Sequence, residues 1–174
     1  MKKYIIIAGV NGAGKSTLFK TNKVINESPR VNTDEIVREF GDWRNIQDVF
    51  KAGKIAVNKI AEYLNNGVTF NQETTLCGKS IINNIRKAKK LGYLIEMYYV
   101  GLDSADIAKD RVKQRVERGG HGINEKDIEK RYEETFVNLN LILNEIDLAV
   151  FYDNTYQFRR FAIVKKGKIV RLSS

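Results

Sequence analysis

The 174-residue sequence is poor in cysteine, histidine and proline, with one residue of each. A single cysteine, Cys77, excludes an intramolecular disulfide and predicts a reducing compartment. A single histidine, His121, cannot form a metal site by itself. No apolar run approaches the roughly 18 residues that a membrane span needs, and a glycine-rich segment stands where a signal peptide would have its apolar stretch. The sequence therefore predicts a soluble cytoplasmic protein with no membrane partner.

Acidic residues are scarce relative to basic ones. The chain has 30 Lys and Arg against 21 Asp and Glu, so its formal net charge is +9 and its pI is near 9.6. This balance favours polyanionic ligands, which include nucleotides, nucleotide sugars, nucleic acid and acidic proteins. Charge alone does not choose among them, because clusters such as Arg86, Lys87, Lys89 and Lys90 are typical of solvated helix surface.

The clearest feature that is present is a phosphate-binding P-loop. Residues 9–17 read Gly-Val-Asn-Gly-Ala-Gly-Lys-Ser-Thr and follow the apolar, strand-like residues 4–8. In such a loop the backbone N–H groups bind phosphates, Lys15 reaches the β- and γ-phosphate oxygens, and the Ser16 hydroxyl ligates Mg²⁺. The order of strand, loop and helix predicts binding of a nucleoside triphosphate, with ATP and Mg²⁺ as cofactors. The predicted nucleotide-binding residues are Gly9, Asn11, Gly12, Ala13, Gly14, Lys15, Ser16 and Thr17.

Strand-like and helix-like segments alternate along the rest of the chain. Strands are predicted over residues 30–32, 68–72, 93–100 and 148–152, with a terminal hairpin of 158–164 and 168–172. Helices are predicted over residues 44–65, 80–91, 104–118 and 124–144, with Gly67 as a C-cap and Asn124 as an N-cap. The pattern predicts one α/β domain over residues 1–174, with a mainly parallel sheet, helices on both faces and ligands at the carboxyl ends of the strands.

Polar residues follow two of the predicted strands, at the sheet edge where the P-loop lies. Asp34 would accept the proton of a substrate hydroxyl as it attacks the γ-phosphorus, although an N-cap role for a helix starting at Glu35 fits the local sequence equally well. Glu73 would orient the substrate or a metal-bound water. Thr74 and Thr75 would bind sugar or phosphate oxygens, or would cap a turn.

An arginine-rich stretch forms the third candidate set. Arg111, Arg115 and Arg118 are spaced i, i+4, i+7 and align on one helix face, and the glycine-rich residues 119–122 then separate them from a helix that carries Arg131. This pattern predicts a lid over about residues 104–144, whose closure would bring guanidinium groups to the transferring phosphate and exclude water. A solvated basic helix paired with neighbouring glutamates fits the same pattern.

Taken together, these motifs resemble the zeta-toxin-like P-loop kinases, and in particular their short, single-domain branch. The matching segments are residues 9–17, 32–35, 73–76, 111–121, 131–132 and 153–154. The resemblance implies ATP-dependent phosphorylation of a sugar hydroxyl on a nucleotide sugar, typically UDP-N-acetylglucosamine. It also implies a toxin, with a small antitoxin protein as a candidate partner.

The resemblance assigns roles to individual residues. Lys15 would bind the transferring phosphate, Asp34 would be the catalytic base, and Glu73 would contact the substrate or a metal-bound water. The transition state would be stabilised by arginines of the lid, which are Arg115, Arg118 and Arg131.

Two other functions fit parts of the sequence. A protein that only hydrolyses ATP would need a P-loop alone, but the strand ending at Val100 leads into Gly101-Leu102-Asp103 and does not end directly in a Walker-B-type aspartate, which argues against a motor ATPase. A nucleic-acid-binding protein or polynucleotide kinase would account for the +9 charge and the eight tyrosines. Its binding to single strands would weaken steeply with added salt.

Overall fold

The computed structural model describes residues 1–173. At Val24, within this range, it describes the backbone alone. The strands are β1 (Lys3–Ala8), β2 (Arg30–Val31), β3 (Phe70–Thr74), β4 (Leu94–Gly101), β5 (Leu148–Asp153), β6 (Arg159–Lys165) and β7 (Lys168–Leu172). The helices are α1 (Lys15–Thr21), α2 (Lys23–Asn26), α3 (Thr33–Phe40), α4 (Ile46–Asn66), α5 (Lys79–Lys90), α6 (Ala105–Glu117) and α7 (Glu125–Ile142), which a 3-10 turn (Leu143–Glu145) extends.

These strands form one seven-stranded sheet in the order β2-β3-β1-β4-β5-β6-β7. From β2 to β5 the neighbours pair in parallel, and β6 and β7 add an antiparallel edge. The β6–β7 hairpin turns at Lys166 and Gly167, which both have positive φ (48° and 75°), as a tight hairpin turn requires. The predicted mainly parallel α/β sheet is confirmed.

Hydrophobic side chains cover both faces of the sheet. Along β1 the side chains alternate, so that Tyr4 and Ile6 lie in a core with α3, α4 and α5, whereas Ile5 and Ile7 lie in a second core with α1 and α6. All four are at most 3% exposed. Burial on both faces is the reason why β1 reads as a continuous apolar run, as central parallel strands do.

Helix caps fix several boundaries. Gly67 ends α4 in the left-handed conformation and the Asn124 side chain accepts a hydrogen bond from the Lys126 N–H, so both predicted caps are confirmed. At α3 the cap is Asn32, whose side chain accepts from the Asp34 N–H at 2.9 Å. Asp34 lies inside the first turn, so the alternative in which it caps a helix starting at Glu35 is wrong.

Helix α7 crosses from one core to the other. Its Ile128 packs in the core with α6, and its Ile142 packs in the core with α4 and α5. Thr135 and Asn138, between them, are also buried. The helix therefore passes along the edge of the sheet where the P-loop lies, and its C-terminal half belongs to the core.

None of the helices in residues 1–173 has the length and apolar character of a membrane span.

Candidate active site

Three glycines give the P-loop a shape that other residues would not adopt. Gly9, Gly12 and Gly14 have φ of 144°, 79° and 104°. A Cβ on Gly9 would overlap the carbonyl oxygen of Val100, and a Cβ on Gly12 would lie 2.9 Å from that of Ala108. The loop is therefore pressed against β4 and α6, with its backbone free to approach phosphates closely.

Lys15 lies inside the concavity of this loop. Its side chain is buried, and its ammonium donates to the carbonyl oxygens of Gly9 at 2.9 Å and Val10 at 3.1 Å. Burial lowers the pKa of Lys15, and the nearby carboxylates of Glu73 and Asp34 partly oppose this shift. Within the described part of the chain the Lys15 ammonium forms no direct ion pair with a carboxylate, so it is well placed to bind the phosphates of a nucleoside triphosphate.

One cavity of about 700 Å³ opens beside the P-loop, across the carboxyl ends of β1, β2 and β3. The predicted site residues that line it are Asn11, Lys15, Asp34, Glu73, Thr74, Thr75 and Arg131. They come from four separate stretches of chain, which the parallel sheet brings to one edge. Thr74 also has the turn-capping role, because its hydroxyl accepts from the Leu76 N–H at 3.0 Å.

Glu73 connects the P-loop with β2. The Ser16 hydroxyl donates to its carboxylate at 3.3 and 3.4 Å, and the Arg30 guanidinium forms an ion pair with it. Arg30 is itself held by Glu35 at 3.0 Å and stacks 3.7 Å from the centre of the Phe19 ring. Arg30 therefore fixes the orientation of Glu73.

A hydroxyl beside a carboxylate is an oxygen donor set that fits Mg²⁺. Within residues 1–173 no three His, Cys, Asp or Glu side chains cluster to hold a metal ion. In the predicted Mg²⁺ site Ser16 would be a direct ligand, and water and phosphate oxygens would supply others, as is usual for Mg²⁺.

Asp34 faces the same cavity from the first turn of α3. Its side chain is 37% exposed, and its Oδ1 lies 3.6 Å from Nε2 of His121. The His121 ring comes from the segment between α6 and α7 and also lies 5.1 Å from the ring of Trp43. Burial lowers the pKa of His121, and Asp34 opposes this shift.

Two arginines approach the P-loop from the predicted lid. Arg131 on α7 donates from Nη1 to Oδ1 of Asn11 at 3.2 Å. Arg115 on α6 has two buried nitrogens, Nε and Nη2, with no hydrogen-bond partner in the part of the chain that the structure describes. Burial lowers the pKa of Arg115, while Asp34 and Glu73 raise it. Arg115 does not line the cavity, but its positive charge lowers the pKa of Lys15. Its two buried donors without partners are costly, which makes this guanidinium a candidate for an incoming phosphate.

The other two arginines of this stretch point elsewhere. Arg111 donates from Nη2 to the carbonyl oxygen of Thr155 at 3.0 Å, in the loop after β5. Arg118 is the exposed C-cap of α6 and does not line the cavity. A role for Arg118 at the phosphate stays a prediction.

Comparison with known protein sequences identifies a relative of this chain. No family model matches the sequence. An uncharacterized protein of Haemophilus influenzae is 32% identical over 130 residues, which cover 75% of this chain and 92% of that protein. The chain belongs to the family of this Haemophilus protein.

Solved structures share the fold of this family at low sequence identity. A chain of the AvrRxo1-ORF1:-ORF2 structure with ATP has a TM-score of 0.74 at 12% identity and matches 97% of this chain. This chain spans 60% of that neighbour's length. A chain from the PezAT chromosomal toxin-antitoxin system of Streptococcus pneumoniae has a TM-score of 0.67 at 14% identity and covers 91% of this chain and 71% of its own. The chain therefore has a P-loop kinase-like fold.

The sequence interpretation missed several residues of the site. Arg30 follows the only proline and precedes the Asp34 segment. Its position on β2, beside the predicted site, was the available signal that it belongs to the site. Trp43, the only tryptophan, lines the cavity, and His121, to which the sequence assigned no role at the site, faces Asp34. Asn154 fixes the P-loop by donating from Nδ2 to the Ala13 carbonyl oxygen at 2.8 Å.

Proposed function

We propose that this protein is an ATP-dependent kinase that transfers the γ-phosphate to a hydroxyl of a small, nucleotide-linked acceptor. One observation carries the proposal. The P-loop ammonium of Lys15 and the accessible carboxylate of Asp34 line the same cavity of about 700 Å³. A protein that only binds nucleotide needs the Lys15 ammonium but has no use for the Asp34 carboxylate.

The proposed reaction follows from this arrangement. The acceptor oxygen attacks the γ-phosphorus, its proton passes to Asp34, the new O–P bond forms, and the bond to the β-phosphate oxygen breaks to release ADP. Lys15, Arg115 and Arg131 stabilise the charge on the transferring group. Mg²⁺, held on the protein side by Ser16 with Glu73 beside it, would neutralise phosphate charge.

The wall of the cavity away from the P-loop suggests the acceptor class. Trp43, Ile46 and Val49 line it with apolar surface, and the guanidinium of Arg44 lies 4.5 Å from the centre of the Trp43 ring. An aromatic wall beside cations suits a ring that carries phosphates. Together with the resemblance to zeta toxins, it supports a nucleotide sugar such as UDP-N-acetylglucosamine. A toxin role and a small antitoxin partner belong to the same proposal.

The test is incubation of the protein with ATP, Mg²⁺ and a panel of acceptors, followed by mass analysis of the products. The panel contains nucleotide sugars, nucleosides, free sugars and 5′-hydroxyl DNA and RNA ends, and Lys15→Met is the inactive control. We expect a product heavier by one phosphate with a nucleotide sugar. Labelling of nucleic-acid ends would favour a polynucleotide kinase, and ADP with free phosphate for every acceptor would refute the kinase proposal.

A toxin role has a separate test. Expression of the wild-type chain would arrest growth, and Asp34→Ala would abolish the arrest because the base is lost. Continued arrest by Asp34→Ala at equal protein level would refute catalytic toxicity.

A further inference from the structure

The only histidine of the chain lies between the base and the only tryptophan. The His121 side chain is 12% exposed, with Nε2 at 3.6 Å from Oδ1 of Asp34 and its ring 5.1 Å from that of Trp43. Its neighbour Gly122 lets the backbone approach closely, since a Cβ there would lie 2.8 Å from the Trp43 ring. The segment therefore lines the cavity and packs closely against Trp43.

We propose that His121 is a positioning residue for the catalytic base: its Nε2–H holds one oxygen of Asp34 and leaves the other facing the acceptor hydroxyl. This inference rests on the proposed phosphoryl transfer to an acceptor. At 3.6 Å the two atoms are just beyond hydrogen-bond length, and contacts of this kind commonly shorten when substrate binds.

The protonation of His121 agrees with this role. Three arginines, Arg38 on α3, Arg115 on α6 and Arg131 on α7, add to burial in lowering its pKa, and Asp34 is the one group that raises it. The ring is then neutral near pH 7, and we assign its single proton to Nε2 because that nitrogen faces the carboxylate. Nδ1 is left as an acceptor, and it has no hydrogen-bond partner within residues 1–173.

The position of His121 in the chain connects the base to the lid. Asp34 belongs to α3 at the sheet, whereas His121 belongs to the glycine-rich segment that joins α6 to α7. In this proposal His121 orients the carboxylate only while the segment lies against Asp34. A lid that opens would release the base, so transfer to the acceptor would be coupled to closure.

Three substitutions separate positioning from packing. His121→Gln keeps an N–H donor near the Nε2 position and loses the ring, His121→Phe keeps the ring beside Trp43 and loses the donor, and His121→Ala loses both. In the wild-type assay with ATP, Mg²⁺ and the accepted nucleotide sugar, we expect kcat to fall about tenfold or more for Phe and Ala and to stay within about threefold for Gln. KM for ATP should change little in all three. The inference would be overturned if His121→Phe kept the wild-type kcat while His121→Gln lost it. An equal loss of kcat in all three variants would also overturn it.

A measurement independent of activity tests the contact itself. Because the chain has one histidine, its imidazole C–H signal in an NMR titration is unambiguous. Asp34→Asn removes the carboxylate that raises the pKa of His121, so we expect that pKa to fall measurably below its wild-type value. An unchanged pKa would overturn the inference even if wild-type activity is normal. A wild-type protein that phosphorylates no acceptor would refute the proposed function and, with it, the role of His121.

Discussion

Replacement of Arg30 by methionine gives the sharpest stability prediction. Arg30 and Glu73 form an ion pair in which each side chain is 10% exposed, and Arg30 also holds Glu35 and packs on Phe19. Methionine keeps the apolar contact with Phe19 but leaves the Glu73 carboxylate buried beside Ser16 without its ion-pair partner. Breaking one side of a buried pair costs about 3 kcal/mol or more, because the remaining charge is uncompensated.

The expected effect is large enough for a routine thermal assay. For a chain of this length, about 3 kcal/mol lowers the melting temperature by roughly 6–12 °C. Thermal unfolding followed by circular dichroism measures it. The matched control is Arg86→Met, because the pair of Arg86 with Glu145 is 50% and 30% exposed and such surface pairs contribute about 1 kcal/mol or less.

A double variant tests the physical reason for the loss. Arg30→Met combined with Glu73→Gln removes the stranded charge, so the double variant should be more stable than Arg30→Met alone by about 1–2 kcal/mol. Equal melting temperatures for Arg30→Met and Arg86→Met would refute the reasoning. A double variant less stable than the single one would also refute it.

Three further variants test the P-loop and the loop after β3. Lys15→Met should weaken ATP binding about tenfold or more in calorimetric titration, since a buried, charge-assisted contact is lost; an affinity within twofold of wild type would contradict this. Gly9→Ala should destabilise the fold by about 2 kcal/mol or more in urea unfolding, because its Cβ overlaps the Val100 carbonyl and its φ is 144°, and no change would contradict it. Asn138→Leu leaves the buried Leu76 carbonyl without the donor now at 2.8 Å and should cost about 1–3 kcal/mol, whereas a neutral effect would show that another donor replaces it.

Local sequence patterns predicted most of the fold for a physical reason. The central parallel strands β1 and β4 are buried on both faces and read as largely apolar runs, and the caps at Gly67 and Asn124 are signalled by short-range chemistry. Boundaries were less predictable. Strand β3 begins at Phe70 and not at Val68, because the Val68 N–H still bonds the Tyr63 carbonyl at the end of α4.

The candidate site also has residues that local sequence patterns predict and residues that they do not. Asp34 and Glu73 could be found because residues after parallel strands share one edge of the sheet. The contacts of Arg30 with Glu73 and of His121 with Asp34 join distant parts of the chain, so no local pattern signals them. Helical spacing placed Arg115 and Arg118 on one face, but it could not show that the end of α6 leaves the second of them in solvent.

The most direct test of phosphoryl transfer by this cavity is single-turnover conversion of γ-labelled ATP with an accepted nucleotide sugar. Asp34→Asn is compared with Asp106→Asn, a matched control because both carboxylates lie in the first turn of a helix and Asp106 is exposed at α6. We predict that Asp34→Asn lowers the rate of label transfer about a hundredfold or more while ATP affinity is unchanged, and that Asp106→Asn transfers at the wild-type rate. Equal transfer by both variants, or label found only as free phosphate in the wild type, would contradict the account.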